Sequence, residues 1–305
     1  MLLLRSGSSF IIWLCLEINI LAFLPVISSE PGISFENTIK YFIIQRCASI
    51  IFLLGIIFSL IIRNKFVLIK LVALVLKLGA APFHGWFISI LKRCSLWVLF
   101  LLSTLQKLLP LIIIVNITIY MWLLLFFSLF TFLVIFFSVP GAIRLNKILA
   151  LSSIGNLIWL LISSQSSIKL ILVFIFIYII LLLGVLYISD TISSTSFPQI
   201  GGINNLPGVI FIFIFISLGR LPPLLGFLGK LIILKRVILI IGLPLFLLTV
   251  FTSLIILYTY MSRFFYYIRF SPAIKVTTMY GKNKTFKVLF FASVFMFNLL
   301  IIIIL

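Results

Sequence analysis

The chain has 305 residues, of which 64% are apolar and 9% charged, and its mean hydropathy is +1.44. One soluble core cannot hide that much apolar surface, and a disordered chain would be far less apolar. The net charge of +19, from 23 Lys and Arg against 4 Asp and Glu, would suggest nucleic acid in a soluble protein. Here many basic residues lie in short connections between apolar runs. There they set topology and meet lipid headgroups, so phospholipid is the expected contact and nucleic acid is not.

The runs do not alternate apolar with polar residues as barrel strands would, so they are read as helices. About ten crossings are predicted, each near the ~20 residues that a bilayer core needs. They fall at roughly 10–28, 41–62, 66–90, 96–115, 119–139, 145–163, 168–189, 208–235, 237–260 and 287–305. An even count puts both termini on one side. The connections on the opposite side carry most of the basic residues, from Lys40, Lys92, Arg93 and Arg144 to the group between Arg263 and Lys287. By the positive-inside rule that side faces the compartment of synthesis. No signal peptide's cleavage pattern or long Arg/Ser-rich presequence is visible at the N-terminus.

Two crossings are interrupted. Pro82 follows Lys77-Leu78-Gly79-Ala80-Ala81, and Pro222-Pro223 lies within Gly219-Arg220-Leu221-Pro222-Pro223-Leu224. Proline removes a backbone donor and clashes one turn back, so both helices are expected to kink or unwind there. At membrane depth such a break is tolerated only where the freed carbonyls face protein or water. Paired interruptions are the sign of an inverted-repeat transporter core, although proline is also a common simple kink in membrane helices. The expected arrangement is one polytopic membrane domain. A partial first repeat covers about 10–115, a second about 119–260, and a C-terminal helix 287–305.

Ionisable residues inside a span cost about 2.5–3.5 kcal/mol each on insertion scales, so each is a functional candidate. Of the four acids, Glu17 alone falls mid-span; Glu30, Glu36 and Asp190 fall in connections. Such a carboxylate stays neutral and bonded to a neighbouring helix unless it meets water or a cation. Lys77, Lys107 and Lys230 are the basic counterparts, and Lys70, Lys77 and His84 recur every seven residues, on one helix face until Pro82 intervenes. A row of such groups joined by water can accept, hold and pass a proton without a nucleophile or a cofactor. Lys70 and Lys147, near predicted span ends, can instead snorkel to the headgroups. His84 suits either a proton relay or a packing role at the helix break. Cys15, Cys47 and Cys94 lie far apart and there is one histidine, so no metal or iron–sulfur site and no disulfide framework is expected.

The segment Leu76-Lys77-Leu78-Gly79-Ala80-Ala81-Pro82-Phe83-His84-Gly85-Trp86 resembles the signature of the antiporter-like membrane subunits of respiratory complex I. Leu16-Glu17-Ile18-Asn19, Ile39-Lys40-Tyr41-Phe42, Gln106-Lys107-Leu108-Leu109-Pro110, Lys147-Ile148-Leu149-Ala150 and Leu221-Pro222-Pro223-Leu224-Leu225-Gly226-Phe227 follow in the order found in a mitochondrially encoded member. The resemblance implies an all-α antiporter-like subunit of an NADH:ubiquinone oxidoreductase in the mitochondrial inner membrane, both termini toward the intermembrane space. Partners would be other membrane-arm and accessory subunits, with phospholipids such as cardiolipin.

The same resemblance implies residue roles. Glu17 corresponds to an essential glutamate, Lys77 to the lysine of the first broken helix, Lys107 to a central lysine and Lys230 to that of the second broken helix. They would form a hydrated axis along which protons move. NADH, FMN, iron–sulfur clusters and ubiquinone would belong to other subunits, leaving this chain no cofactor. Three positions depart from the pattern: Arg220 for a usual glycine, Asn156 for a frequent histidine and Gly229 for a frequent proline. Arg220 is expected to pair with a neighbouring subunit's carboxylate, a lipid phosphate or exposed carbonyls. The helix that usually precedes the glutamate-bearing one is absent, which implies a groove filled by lipid or an accessory subunit. A free-standing cation/proton antiporter of the related ion-exchanger class is the competing reading.

Overall fold

The computed structural model describes residues 9–61, 67–117, 120–142, 144–192, 206–220, 224–237 and 242–270. The predicted crossing at 287–305 and the prolines Pro222 and Pro223 lie outside these residues. Among the described residues there is no strand. The helices are α1 (Ser9–Ser28), α2 (Phe35–Ile61), α3 (Val67–Leu78), α4 (Gly85–Leu91), α5 (Leu96–Ser103) and α6 (Leu105–Val115). They continue as α7 (Met121–Ser138), α8 (Leu145–Ser163), α9 (Ile168–Ile192), α10 (Leu206–Gly219), α11 (Leu225–Val237) and α12 (Leu243–Phe270). Seven spans are long and apolar enough to cross a bilayer, with α5 and α6 counted as one. The broken pairs α3/α4 and α10/α11 bring the crossings among the described residues to nine.

Helix α8 is the hub. It packs against α4, α5, α6, α7, α9, α11 and α12, and nearly all its side chains are buried. Around it the outer helices turn large apolar residues outward, among them Ile18, Phe137, Phe176 and Tyr258. In a soluble protein such a surface would aggregate; in hydrocarbon it is the solvent-matched face.

Two helices run further than their apolar runs suggest. Helix α2 begins at Phe35 rather than near 41, because Ser34 accepts from Asn37 and Thr38 N–H, and Glu36 in the first turn suits the helix dipole. Helix α12 passes 260 and continues to Phe270, since no proline or glycine intervenes before Pro272. One interruption had no proline signal of its own position. Thr104 separates α5 from α6, and both its amide and its hydroxyl donate to the Phe100 carbonyl, at 3.0 and 2.6 Å. A threonine hydroxyl competing for that carbonyl bends a helix, and Pro110 further on removes another rung.

The first break is fully described. Gly79 takes φ +64, where a glycine carries no penalty, and its amide bonds to Leu76 O while Ala80 N bonds to Val75 O. A side chain at Gly79 would also press on Phe87. The freed carbonyls find side-chain donors: the Trp86 indole reaches Leu76 O at 3.2 Å, and Gln45 Nε2 reaches Lys77 O at 3.2 Å. The carbonyls of Val75, Leu76 and Lys77 are thus satisfied inside protein, as membrane depth requires.

Candidate functional site

Glu17 sits on α1, and its side chain is 10% exposed. It is not alone. Arg46 of α2 donates through Nη1 to Glu17 Oε2, and the Ser49 hydroxyl donates to Oε1. The guanidinium also lies 5.3 Å from the Phe42 ring centroid. Arg46 had escaped the reading of the sequence, because it sits in the apolar run 41–62, 29 residues from its partner. An arginine inside a predicted span was the available signal.

Beside this pair lies a water-sized cavity, near the minimum that holds one molecule. Its polar lining comes from Asn19, Gln45, Gln106, Lys77 and Lys107, while Trp86 and Phe87 supply aromatic walls. Asn19 and Gln106 bond to each other at 2.7 Å, joining α1 to α6. Lys77 is 6% exposed, and its Nζ has no hydrogen-bond partner. The charges of Glu17 and Arg46 act on it. Lys107 is 3% exposed; its Nζ donates to Ser153 O of α8 at 3.1 Å and stands 4.7 Å from the Phe87 centroid. The structure therefore brings Lys77 and Lys107 to one cavity, with the Glu17 pair flanking it through its neighbours Leu16 and Asn19.

The other candidates lie elsewhere. Lys230 on α11 is buried separately, with Nζ 5.3 Å from the Trp159 centroid on α8. His84 precedes α4, half-buried, and its Nδ1 meets Pro82 O at 3.1 Å; it does not line the cavity. Lys70 turns away to Ser59 Oγ at 2.8 Å on α2. Pro82 is at the first break as read.

Arg220 faces inward, to an amide oxygen of its own chain. Its Nη2 donates to Asn156 Oδ1 of α8 at 2.6 Å, and its Cζ lies 4.5 Å from the Phe174 centroid. Its backbone has φ 65, and its amide bonds to Ser217 O, as the amide of Gly79 bonds to Leu76 O. A non-glycine residue in that conformation costs about 1–2 kcal/mol. The turn aims the side chain back at α8, which is why Asn156 and not a lipid receives it. Gly226 starts the return: a Cβ there would meet Ser217 O at 1.8 Å.

A family model described as NADH:quinone oxidoreductase/Mrp antiporter, transmembrane, matches residues 6–256. The chain belongs to this family. The NADH-ubiquinone oxidoreductase chain 2 of Artemia franciscana is 35% identical over 236 residues, 75% of this chain and 74% of that one. The protein of the same name in Anopheles gambiae is 30% identical over 275 residues, 85% and 79% of the two chains. The fold is similar to a chain of respiratory complex I from Thermus thermophilus, with a TM-score of 0.76 at 19% identity over 98% of this chain and 74% of that chain. It is also similar to a chain of an archaeal membrane-bound sulfane sulfur reductase, with a TM-score of 0.68 at 15% identity, covering 98% and 68%. The fold is thus shared with chains of two respiratory membrane complexes.

Proposed function

We propose that this antiporter-family chain is a proton-translocating membrane-arm subunit of a mitochondrial NADH:ubiquinone oxidoreductase. It holds no redox centre; flavin, iron–sulfur clusters and quinone chemistry belong to its partner subunits. The carrying observation is the meeting of Lys77 and Lys107, both buried, at one polar cavity inside the bundle. A lysine there is a titratable cation on a flexible stem, able to bind a proton and give it up. The amides of Asn19, Gln45 and Gln106 can both donate to and accept from a water between the two ammonium groups.

In this reading Glu17, held by Arg46 and Ser49, is the anionic end of the row, and Lys77 and Lys107 are its carriers. Lys107 in its protonated form donates to Ser153 O; on release of the proton the bond loses its charge assistance and weakens, so the protonation state is felt by α8. Lys230 is the carrier of the second broken helix. The basic connections support a topology with both termini toward the intermembrane space. Accessory subunits and phospholipids cover the outward apolar faces.

The family description also names the Mrp antiporter, but the Artemia and Anopheles relatives, which match 75% and 85% of this chain, are named as NADH-ubiquinone oxidoreductase chains. Replacing Lys107 by Met tests the reading. An assembled complex is expected to pump fewer protons per NADH oxidised; wild-type stoichiometry would reject the role. Sizing in mild detergent separates the alternatives, because a free antiporter would migrate alone and a respiratory subunit with an NADH-oxidising assembly.

A further inference from the structure

Three buried cations meet one helix at intervals of three residues. On α8, Ser153 O receives Lys107, Asn156 Oδ1 receives Arg220, and the Trp159 ring faces Lys230. At 1.5 Å of rise per residue these points are about 4.5 Å apart along the axis, with the Arg220 contact in the middle. Arg220 is also a like charge that acts on Lys230.

Two of these cations can lose a proton. The third cannot, because a guanidinium remains charged in proteins. Arg220 is 8% exposed, no carboxylate among the described residues pairs with it, and its Nη1 has no hydrogen-bond partner. It stands at the rim of a small apolar cavity lined by Phe174, Ile177, Leu181 and Leu218, with Tyr178 alongside. Its φ of 65 is a conformation that glycine holds without strain. A buried charge with no carboxylate partner among the described residues and a strained backbone at one residue point to function.

We infer that Arg220 is a fixed electrostatic barrier that keeps protons from passing directly between Lys107 and Lys230. A permanent positive charge repels an incoming hydronium and offers no site to receive its proton, which is how an arginine at a constriction excludes protons from a water pore. The Asn156 bond and the Phe174 ring hold the charge at a height on α8 between the contacts of the two lysines. The row is thereby split into two half-paths, one ending at Lys107 and one at Lys230. Communication between them is through charge and not through a continuous proton wire. This inference rests on the proton-translocating reading above.

The test uses the intact complex in liposomes with its quinone site inhibited, a pH gradient imposed, and its decay followed with an internal pH dye. Arg220→Gly suits the backbone and removes the charge, and its passive proton leak should rise about fivefold or more above wild type. Arg220→Lys retains a cation and should stay near the wild-type leak. A wild-type leak in Arg220→Gly would overturn the inference, as would equal leaks in both variants, since packing and not charge would then be responsible. If Gly at this position prevents assembly, Arg220→Asn takes its place with the same expectation. Lys107→Met is measured in parallel. Lowered stoichiometry there with a tight Arg220→Gly vesicle defeats the barrier alone, whereas normal stoichiometry there defeats the underlying pathway.

Discussion

Removing Arg46 should disable Glu17 nearly as fully as removing Glu17 itself. Arg46→Met retains most of the side-chain length and apolar stem but deletes the donor to Glu17 Oε2, leaving only the Ser49 hydroxyl on the carboxylate. Breaking a buried ion pair from one side costs about 3–5 kcal/mol, and an exposed pair is worth less than about 1 kcal/mol. Glu17 is 10% and Arg46 35% exposed, so this pair falls between the limits, at about 1.5–3 kcal/mol. At about 1.4 kcal/mol per tenfold, the ion-paired arrangement loses roughly 10- to 100-fold in weight. The assay is protons pumped per NADH oxidised in sealed membranes. Arg46→Met and Glu17→Gln should each lower it, and the double variant should be little worse than either, because the two residues act as one unit. Arg46→Lys should recover part of the loss, having the charge without the planar fork. Wild-type pumping in Arg46→Met, or losses that simply add in the double variant, would refute the reasoning.

Other predictions are more local. Gly226→Ala should abolish accumulation of the assembled complex, since its Cβ would fall 1.8 Å from Ser217 O, a backbone atom that cannot yield; normal assembly on a native gel would contradict this. Asn19→Leu deletes the 2.7 Å bond to Gln106 and one polar wall of the cavity, and should slow coupled turnover severalfold while Asn19→Gln does so less. Cys94, in the connection between α4 and α5, has its thiol pushed up to about 12, first by burial and then by the Glu30 carboxylate. Its thiolate fraction near neutral pH is then about a thousandfold below that of a free thiol. Mass spectrometry after maleimide treatment at pH 7–9 should find Cys94 unlabelled; rapid labelling would contradict its burial.

Much of the architecture is written in one dimension. Apolar runs bounded by basic connections mark the crossings, and Gly79 with Pro82 marks the first break because those residue types act through their own backbone. What eluded the sequence depends on which helices touch. Glu17 finds its cation on α2 and Lys107 its carbonyl on α8, pairings that no local spacing encodes. The residue order left three kinds of partner open for Arg220, and a left-handed turn at its own Cα sends it to Asn156. Thr104 interrupts its helix through a hydroxyl whose rotamer is not written in the residue order.

Proton transfer between the buried lysines requires water to reach them. A map of the assembled complex resolving ordered solvent should show at least one water held by Lys77, Lys107 and the amides of Gln45 and Gln106, continuing toward Glu17. Dry side-chain packing between Lys77 and Lys107, with both ammonium groups bonded to protein alone, would contradict it.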